Sequence, residues 1–169
     1  MGNEGVKNDR PFTESGALEP CASLGKPWAG SCALWISQWW LGNATEKNDD
    51  KKLIARMGEW CRAMPGGKSV YDLCLEGIAR RMRWLTNDRP ELTHDRCTRA
   101  TNDTDNLYRC QLLSALRFAY YYPPEKAARA CEGLPDEKSA PCRKAAEAEA
   151  MRLQKNNATY SHETPLNDL

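Results

Sequence analysis

The chain has 169 residues, with 24 Lys and Arg against 23 Asp and Glu, a net charge of +1 and both signs scattered along its length. That balance offers no field to steer a strongly charged partner, so neither nucleic acid nor an anionic membrane is expected as the main partner. The longest apolar run, Ala33 to Leu41, is interrupted by Ser37 and Gln38 and falls short of the about 18 residues needed to cross a bilayer, so no transmembrane segment is expected.

Residues 1–13 are polar and carry no apolar stretch of the kind a secretory signal needs. They read as a disordered segment, with the signal peptide absent from this chain. A single disulfide-rich helical domain is expected over 14–155, followed by a polar tail over 156–169.

Along the domain the eight cysteines fall as Cys21 and Cys32, Cys61 and Cys74, Cys97 and Cys110, and Cys131 and Cys142, with ten, twelve, twelve and ten residues inside successive pairs. First cysteines recur at intervals of 40, 36 and 34 residues, the range of one helix-turn-helix unit per repeat. Such an even, dense set of thiols points to an oxidising, extracytoplasmic compartment, secreted or periplasmic.

In the first unit, Leu24-Gly25-Lys26-Pro27 reads as a turn, and a helix follows with Cys32, Ile36 and Trp40 on one stripe. The second unit opens with a helix over Lys51 to Trp60, turns at Met64-Pro65-Gly66-Gly67, and continues with Cys74, Ile78, Met82 and Leu85 at spacings of four, four and three. A short helix over Pro90 to Arg96 leads the third, whose turn is Thr101-Asn102-Asp103-Thr104 and whose second stripe holds Cys110, Phe118 and Tyr121. In the fourth, Pro123-Pro124 starts a helix through Ala130, Gly133-Leu134-Pro135-Asp136 turns it, and Cys142, Ala146, Ala150 and Leu153 form the last stripe. The first cysteine of each pair should end one helix, and the second should begin the next on its buried face.

Antiparallel helices joined by a tight turn bring those positions within the Cα separation a disulfide needs, and nearest-neighbour pairing is therefore expected. The cysteines are then structural and inert. Zinc is disfavoured because no pair has the two-to-four-residue spacing of a metal knuckle, and no cofactor is expected. Twin-cysteine helical proteins place both cysteines of a pair inside one helix, whereas turn formers separate them here.

The period near 36 residues, the segment Glu125-Lys126-Ala127-Ala128-Arg129-Ala130-Cys131 and the cysteine-linked turns resemble cysteine-rich Sel1-like or tetratricopeptide-type arrays over about residues 14 to 155. The glycine and large-small signature residues of those families are mostly missing. The resemblance implies an α/α array used for protein binding, with no catalytic residue to carry over. The fold class expected is all-α, four disulfide-closed hairpins packed as a short array or a compact bundle.

Motifs for nucleotide binding, serine hydrolysis and zinc peptidase chemistry are missing from the sequence, and no catalytic residue is assigned. His94, beside Cys97, could act as a base but has no partner in sequence context, and His162 lies in the polar tail. Glu76 is the acid closest to a packed face, and its plain reading is a first-turn carboxylate facing the helix dipole. The basic run Arg80-Arg81-Met82-Arg83 points in several directions on a helix and reads as a solvated face. Asn43, Asn102 and Asn157 begin sequons that matter only in a eukaryotic secretory host.

Aromatic residues give the stronger signal. Trp28, Trp35, Trp39, Trp84, Tyr120 and Tyr122 are the candidate binding residues, since tryptophan and tyrosine anchor interfaces. Core packing competes for Trp39, while Trp28 and Tyr122, at turns, should be exposed. The expected function is binding of another secreted or periplasmic protein, as adaptor, accessory subunit or inhibitor; the alternative is a small secreted hydrolase of cell-wall or glycan substrates.

Overall fold

Four helix-breaking segments fold the chain back on itself, and a computed structural model describes the result for residues 18–25, 28–44 and 50–155. In chain order the helices are α1 (Glu19–Ala22), α2 (Trp28–Ala44), α3 (Asp50–Ala63), α4 (Lys68–Arg80), α5 (Met82–Leu85), α6 (Thr93–Ala100), α7 (Thr104–Phe118), α8 (Pro124–Ala128) and α9 (Asp136–Lys155), with 3-10 turns at Pro90–Leu92 and Arg129–Cys131. No strand occurs among the described residues. The expected terminal segments, 1–13 and 156–169, lie outside them, as do His162 and Asn157.

Each expected turn lies between two helical segments, although Lys26 and Pro27 of the first turn lie outside the described residues, and each disulfide joins the segments on either side. Cys21 bonds to Cys32, Cys61 to Cys74, Cys97 to Cys110 and Cys131 to Cys142, with Cα separations of 5.5 to 5.9 Å. No cysteine is free among the described residues. The second cysteines do not begin their helices, however. Cys74, Cys110 and Cys142 each sit six residues beyond the first helical residue, Lys68, Thr104 and Asp136. Apolar spacing reports the buried face of a helix but not where it starts; the starts are set by local chemistry such as the Asp103 carboxylate, which accepts from the amides of Asp105 and Asn106.

The disulfides sit in the core. Cys61, Cys74, Cys97, Cys110, Cys131 and Cys142 are fully buried, together with Ile54, Met57, Ile78, Met82, Ala115, Ala146 and Ala150. Stripes Cys74-Ile78-Met82-Leu85 and Cys142-Ala146-Ala150-Leu153 are buried throughout, as their spacing requires. Tyr121, by contrast, follows the end of α7 and is half-buried.

Second helices of successive hairpins lie side by side in chain order, α2 on α4, α4 on α7 and α7 on α9, while α3 packs on α6. Two glycines permit the closest approaches. A Cβ at Gly77 of α4 would fall 2.0 Å from Ser37 Oγ and 2.4 Å from the Leu34 carbonyl oxygen of α2, and one at Gly58 would fall 2.1 Å from the Ala100 carbonyl oxygen.

Polar side chains lock each hairpin to the next by satisfying carbonyls that helix ends and crossings leave over. Ser37 Oγ donates to the Cys74 carbonyl at 3.1 Å, Arg81 Nε to the Gln38 carbonyl at 2.8 Å, and Arg62 to the Ala100 carbonyl at 3.0 Å. Gln111, fully buried, donates through Nε2 to the carbonyls of Ala130 and Glu132, each at 2.9 Å, and accepts from His94 Nδ1 at 3.0 Å.

Candidate functional site

The six aromatic candidates fall on two surfaces. On α2, Trp28, Trp35 and Trp39 are separated by seven and four residues, which places them on one side of a helix with a turn of 3.6 residues. Trp28 is 69% exposed and Trp35 48%, whereas Trp39 is half-buried against the core. The opposite side of α2 carries Ala33, Leu34, Ser37, Trp40 and Leu41, all buried, with Trp40 edge-on to Trp60 of α3 at 5.1 Å. None of the 17 residues of α2 is charged. A helix buried on one side ordinarily presents charge on the other; this one presents indole.

The second surface is built where α5 ends beside the C-terminus of α7. Thr86 closes α5, and the chain then reverses in a Schellman motif: the Asn87 amide donates to the Trp84 carbonyl and the Asp88 amide to the Arg83 carbonyl. Asn87 and Asp88 both take left-handed backbone angles, φ 50 and 60 degrees, which short polar side chains tolerate better than other non-glycine residues. In such motifs the residues at the places of Arg83 and Asp88 commonly touch through apolar side chains. Here they form an ion pair, Arg83 Nε to Asp88 Oδ1 at 2.6 Å.

Aromatic rings from the segment after α7 surround that pair. The Arg83 guanidinium lies 4.4 Å from the Tyr121 ring centre and 5.9 Å from that of Trp84. Arg117 stands over Tyr120 at 5.6 Å and Tyr121 at 5.3 Å, and Lys126 Nζ over Tyr122 at 3.6 Å. The Tyr122 hydroxyl donates to Asp88 Oδ1, and its ring lies 5.9 Å from Phe118. Tyr122 is therefore half-buried rather than exposed, because the short span from α7 to α8 draws it onto Phe118. Trp84 is 56% exposed beside them.

These contacts set the protonation of the cluster. Burial opposes ionisation of Asp88, but the Tyr122 hydroxyl and Arg83 outweigh it and hold the carboxyl below its ordinary value of 3.8. Burial and then the hydrogen bond to Asp88 push the Tyr122 phenol up to about 12. Glu91, Asp95, Asp105 and Glu149 are likewise lowered, Asp95 by Arg99, Asp105 by Lys138 and Glu149 by Arg152. Groups that hold protons less tightly folded than unfolded contribute stability that is complete above the ordinary carboxylate range near 4 and is lost as pH falls through their folded values. For Tyr122 the contribution is complete below about 10 and is lost as pH rises through about 12. The urea midpoint should thus stay level from neutral pH to about 5 and fall below about 4; a midpoint that climbed on acidification would contradict these contacts.

The remaining sequence candidates are occupied structurally. His94 bonds to Gln111 across the third hairpin, and Gln111 in turn reaches the fourth at Ala130 and Glu132. Glu76 accepts from Arg80 at 2.8 Å on the same helix. The basic run divides as its spacing suggests, Arg80 to Glu76, Arg81 to Gln38 and Arg83 to Asp88, although Arg81 is half-buried against α2 rather than solvated. Among the described residues no group of three His, Cys, Asp or Glu could hold a metal. A groove of about 490 Å3 between the second and third hairpins is lined by Lys68, Tyr71, Asn102 and Asp105 among others, and its edge charges pair as Lys68 with Asp72 and Lys138 with Asp105. Sequence reasoning missed Arg83, Asn87 and Asp88; the Thr-Asn-Asp sequence after Leu85 was the available helix-stop signal.

Fold and surface together define an all-helical protein of four disulfide-closed hairpins that carries tryptophan on its outer face. No family model matches the chain, and no curated protein or solved structure matches it significantly.

Proposed function

We propose that the protein is a secreted or periplasmic binding module that docks another extracytoplasmic protein through the outer side of α2. The observation that carries this reading is the charge-free helix with Trp28 and Trp35 facing solvent. Leaving two indoles in water is unfavourable, and residues of this type dominate binding energy when a partner buries them. The four disulfides fit an oxidising compartment, and the Cys21–Cys32 bridge together with the packing of α2 on α4 holds α2 in place so that little ordering entropy is lost on docking. Side-by-side second helices, α2 to α9, are the arrangement expected of the helical array that the cysteine period suggests. The partner surface that fits is apolar and poor in charge.

A glycosidase reading draws less support. It needs one carboxylate with a raised pKa facing a second, and every described carboxylate whose pKa is displaced is displaced downward.

Photocrosslinking tests the proposal. A crosslinker at position 35, with one at exposed Arg143 on α9 as the reference, is activated in the native extracytoplasmic fraction. One protein should be captured at position 35 and not at 143, and the purified pair should lose about 30-fold in affinity, about 2 kcal/mol, on Trp28→Ala. Identical capture at both positions, or binding of α2 to neutral phosphatidylcholine vesicles instead of a protein, would overturn it.

A further inference from the structure

The Schellman turn after α5 borders a depression of about 310 Å3 lined by Arg83, Trp84, Asn87 and Asp88. That volume is at the lower end of small-molecule sites, which run from about 300 to 1,000 Å3. Its lining combines an open indole with three planar polar side chains. Both protein donors to Asp88, Arg83 Nε and the Tyr122 hydroxyl, converge on Oδ1, and among the described residues Oδ2 receives none. Arg83 gives Nε to Asp88 and also hydrogen-bonds the Tyr122 hydroxyl, and a guanidinium has five N–H donors, more than those two acceptors use.

We propose that this depression is a binding site for a neutral sugar ring, with Trp84 as the stacking platform and Asn87, Asp88 and Arg83 as the hydroxyl-recognising groups. A pyranose presents an apolar C–H face, which an exposed indole covers, and a rim of hydroxyls, each both donor and acceptor. Asp88 accepts, Arg83 donates and the Asn87 amide does both, so adjacent hydroxyls can be met in pairs.

Charge narrows the ligand further. A cation meets Arg83, an anion meets the Asp88 carboxylate, and a neutral polyol meets neither penalty. Rigidity adds to the case: two consecutive left-handed residues are held in place by backbone hydrogen bonds, the ion pair and the Tyr122 hydroxyl, so the polar groups are positioned before any ligand arrives. This site rests on different residues from the α2 surface and does not depend on it.

The test uses the intact, oxidised protein and soluble di- and trisaccharides of glucose, galactose, mannose and N-acetylglucosamine, with inorganic phosphate and glucuronate as anionic probes. Indole N–H signals are followed by two-dimensional NMR, the Trp84 signal being identified by its loss in Trp84→Ala. At least one neutral saccharide should shift that signal saturably at millimolar concentration. Trp84→Ala should abolish binding of that saccharide measured by calorimetry, and Trp28→Ala should leave it unchanged. Asn87→Gly, which keeps the left-handed backbone and removes only the amide, should weaken it about tenfold. The proposal fails if no neutral saccharide moves the Trp84 signal, if binding survives Trp84→Ala, or if only phosphate or glucuronate binds.

Discussion

Reduction of the four disulfides is expected to unfold the protein at about 37 °C, the temperature at which loss of native bridges commonly abolishes folding in small secreted domains. Each bridge closes a short loop, with cysteines separated by 11 or 13 residues. In the chain-entropy model loops of that length contribute about 3 kcal/mol each. Four such contributions are comparable to the entire net stability of a domain, about 5 to 15 kcal/mol. The buried bridges are also packing units, since Cys61 and Cys74 lie within the core around Met57 and Ile78. Thermal melts followed by near-ultraviolet dichroism, with and without a phosphine reductant, should show the cooperative transition lost or shifted far down. Replacing Cys61 and Cys74 together by Ser should cost about 3 kcal/mol alone. An unchanged melt under full reduction would mean that the bridges do not hold the fold.

Gly77→Ala should destabilise the protein by about 3 kcal/mol, the upper end of the overpacking range. The sign makes the experiment informative. In an exposed helix interior, replacing Gly by Ala stabilises by about 1 kcal/mol, because Ala loses less backbone entropy. At Gly77 the added methyl would meet the Leu34 carbonyl at 2.4 Å and Ser37 Oγ at 2.0 Å; the serine could turn only by giving up its bond to the Cys74 carbonyl, and the Leu34 carbonyl cannot yield without moving α2 away from α4. Movement of α2 would also strain the Ser37 bond to the Cys74 carbonyl and the Arg81 bond to the Gln38 carbonyl. Gly42 provides the contrast, because its Cβ would meet the flexible guanidinium of Arg81 at 2.8 Å. Urea denaturation of both variants measures the difference. A Gly77→Ala variant as stable as the parent would contradict the close α2–α4 crossing, and with it the placement of the tryptophan side.

Much of this architecture was legible in the sequence because its strongest signals are local. Turn formers between paired cysteines, and apolar residues at helical spacing after them, depend only on the nearest few residues, and they located the hairpins and the buried stripes of α4 and α9. The break between α4 and α5 was not legible. Ile78, Met82 and Leu85 keep helical spacing across it, so the stripe runs on while the backbone does not. Nor could the spacing show that Arg81 turns inward to the Gln38 carbonyl, since its acceptor lies 43 residues earlier.

The two candidate surfaces differ in the same way. Trp28, Trp35 and Trp39 share a side of one helix, so their grouping follows from periodicity alone. The site at Trp84 needs two separate stretches of chain: the end of α5 with the turn that follows it at Asn87 and Asp88, and the tyrosines after α7. Only the folded arrangement brings Tyr122 to Asp88 and Tyr121 to Arg83. Sequence could nominate Trp84, Tyr120 and Tyr122 as aromatics, but not the carboxylate and guanidinium that give the site its polarity.

Nearest-neighbour disulfides hold adjacent helices as hairpins, and the exposed side of α2 and the turn after α5 both depend on that pairing. Peptide mapping by mass spectrometry of the non-reduced, alkylated protein tests that most directly. Cys61 should be recovered bonded to Cys74, with Cys21–Cys32, Cys97–Cys110 and Cys131–Cys142 alongside. Recovery of Cys61 bonded to any other cysteine would contradict the fold.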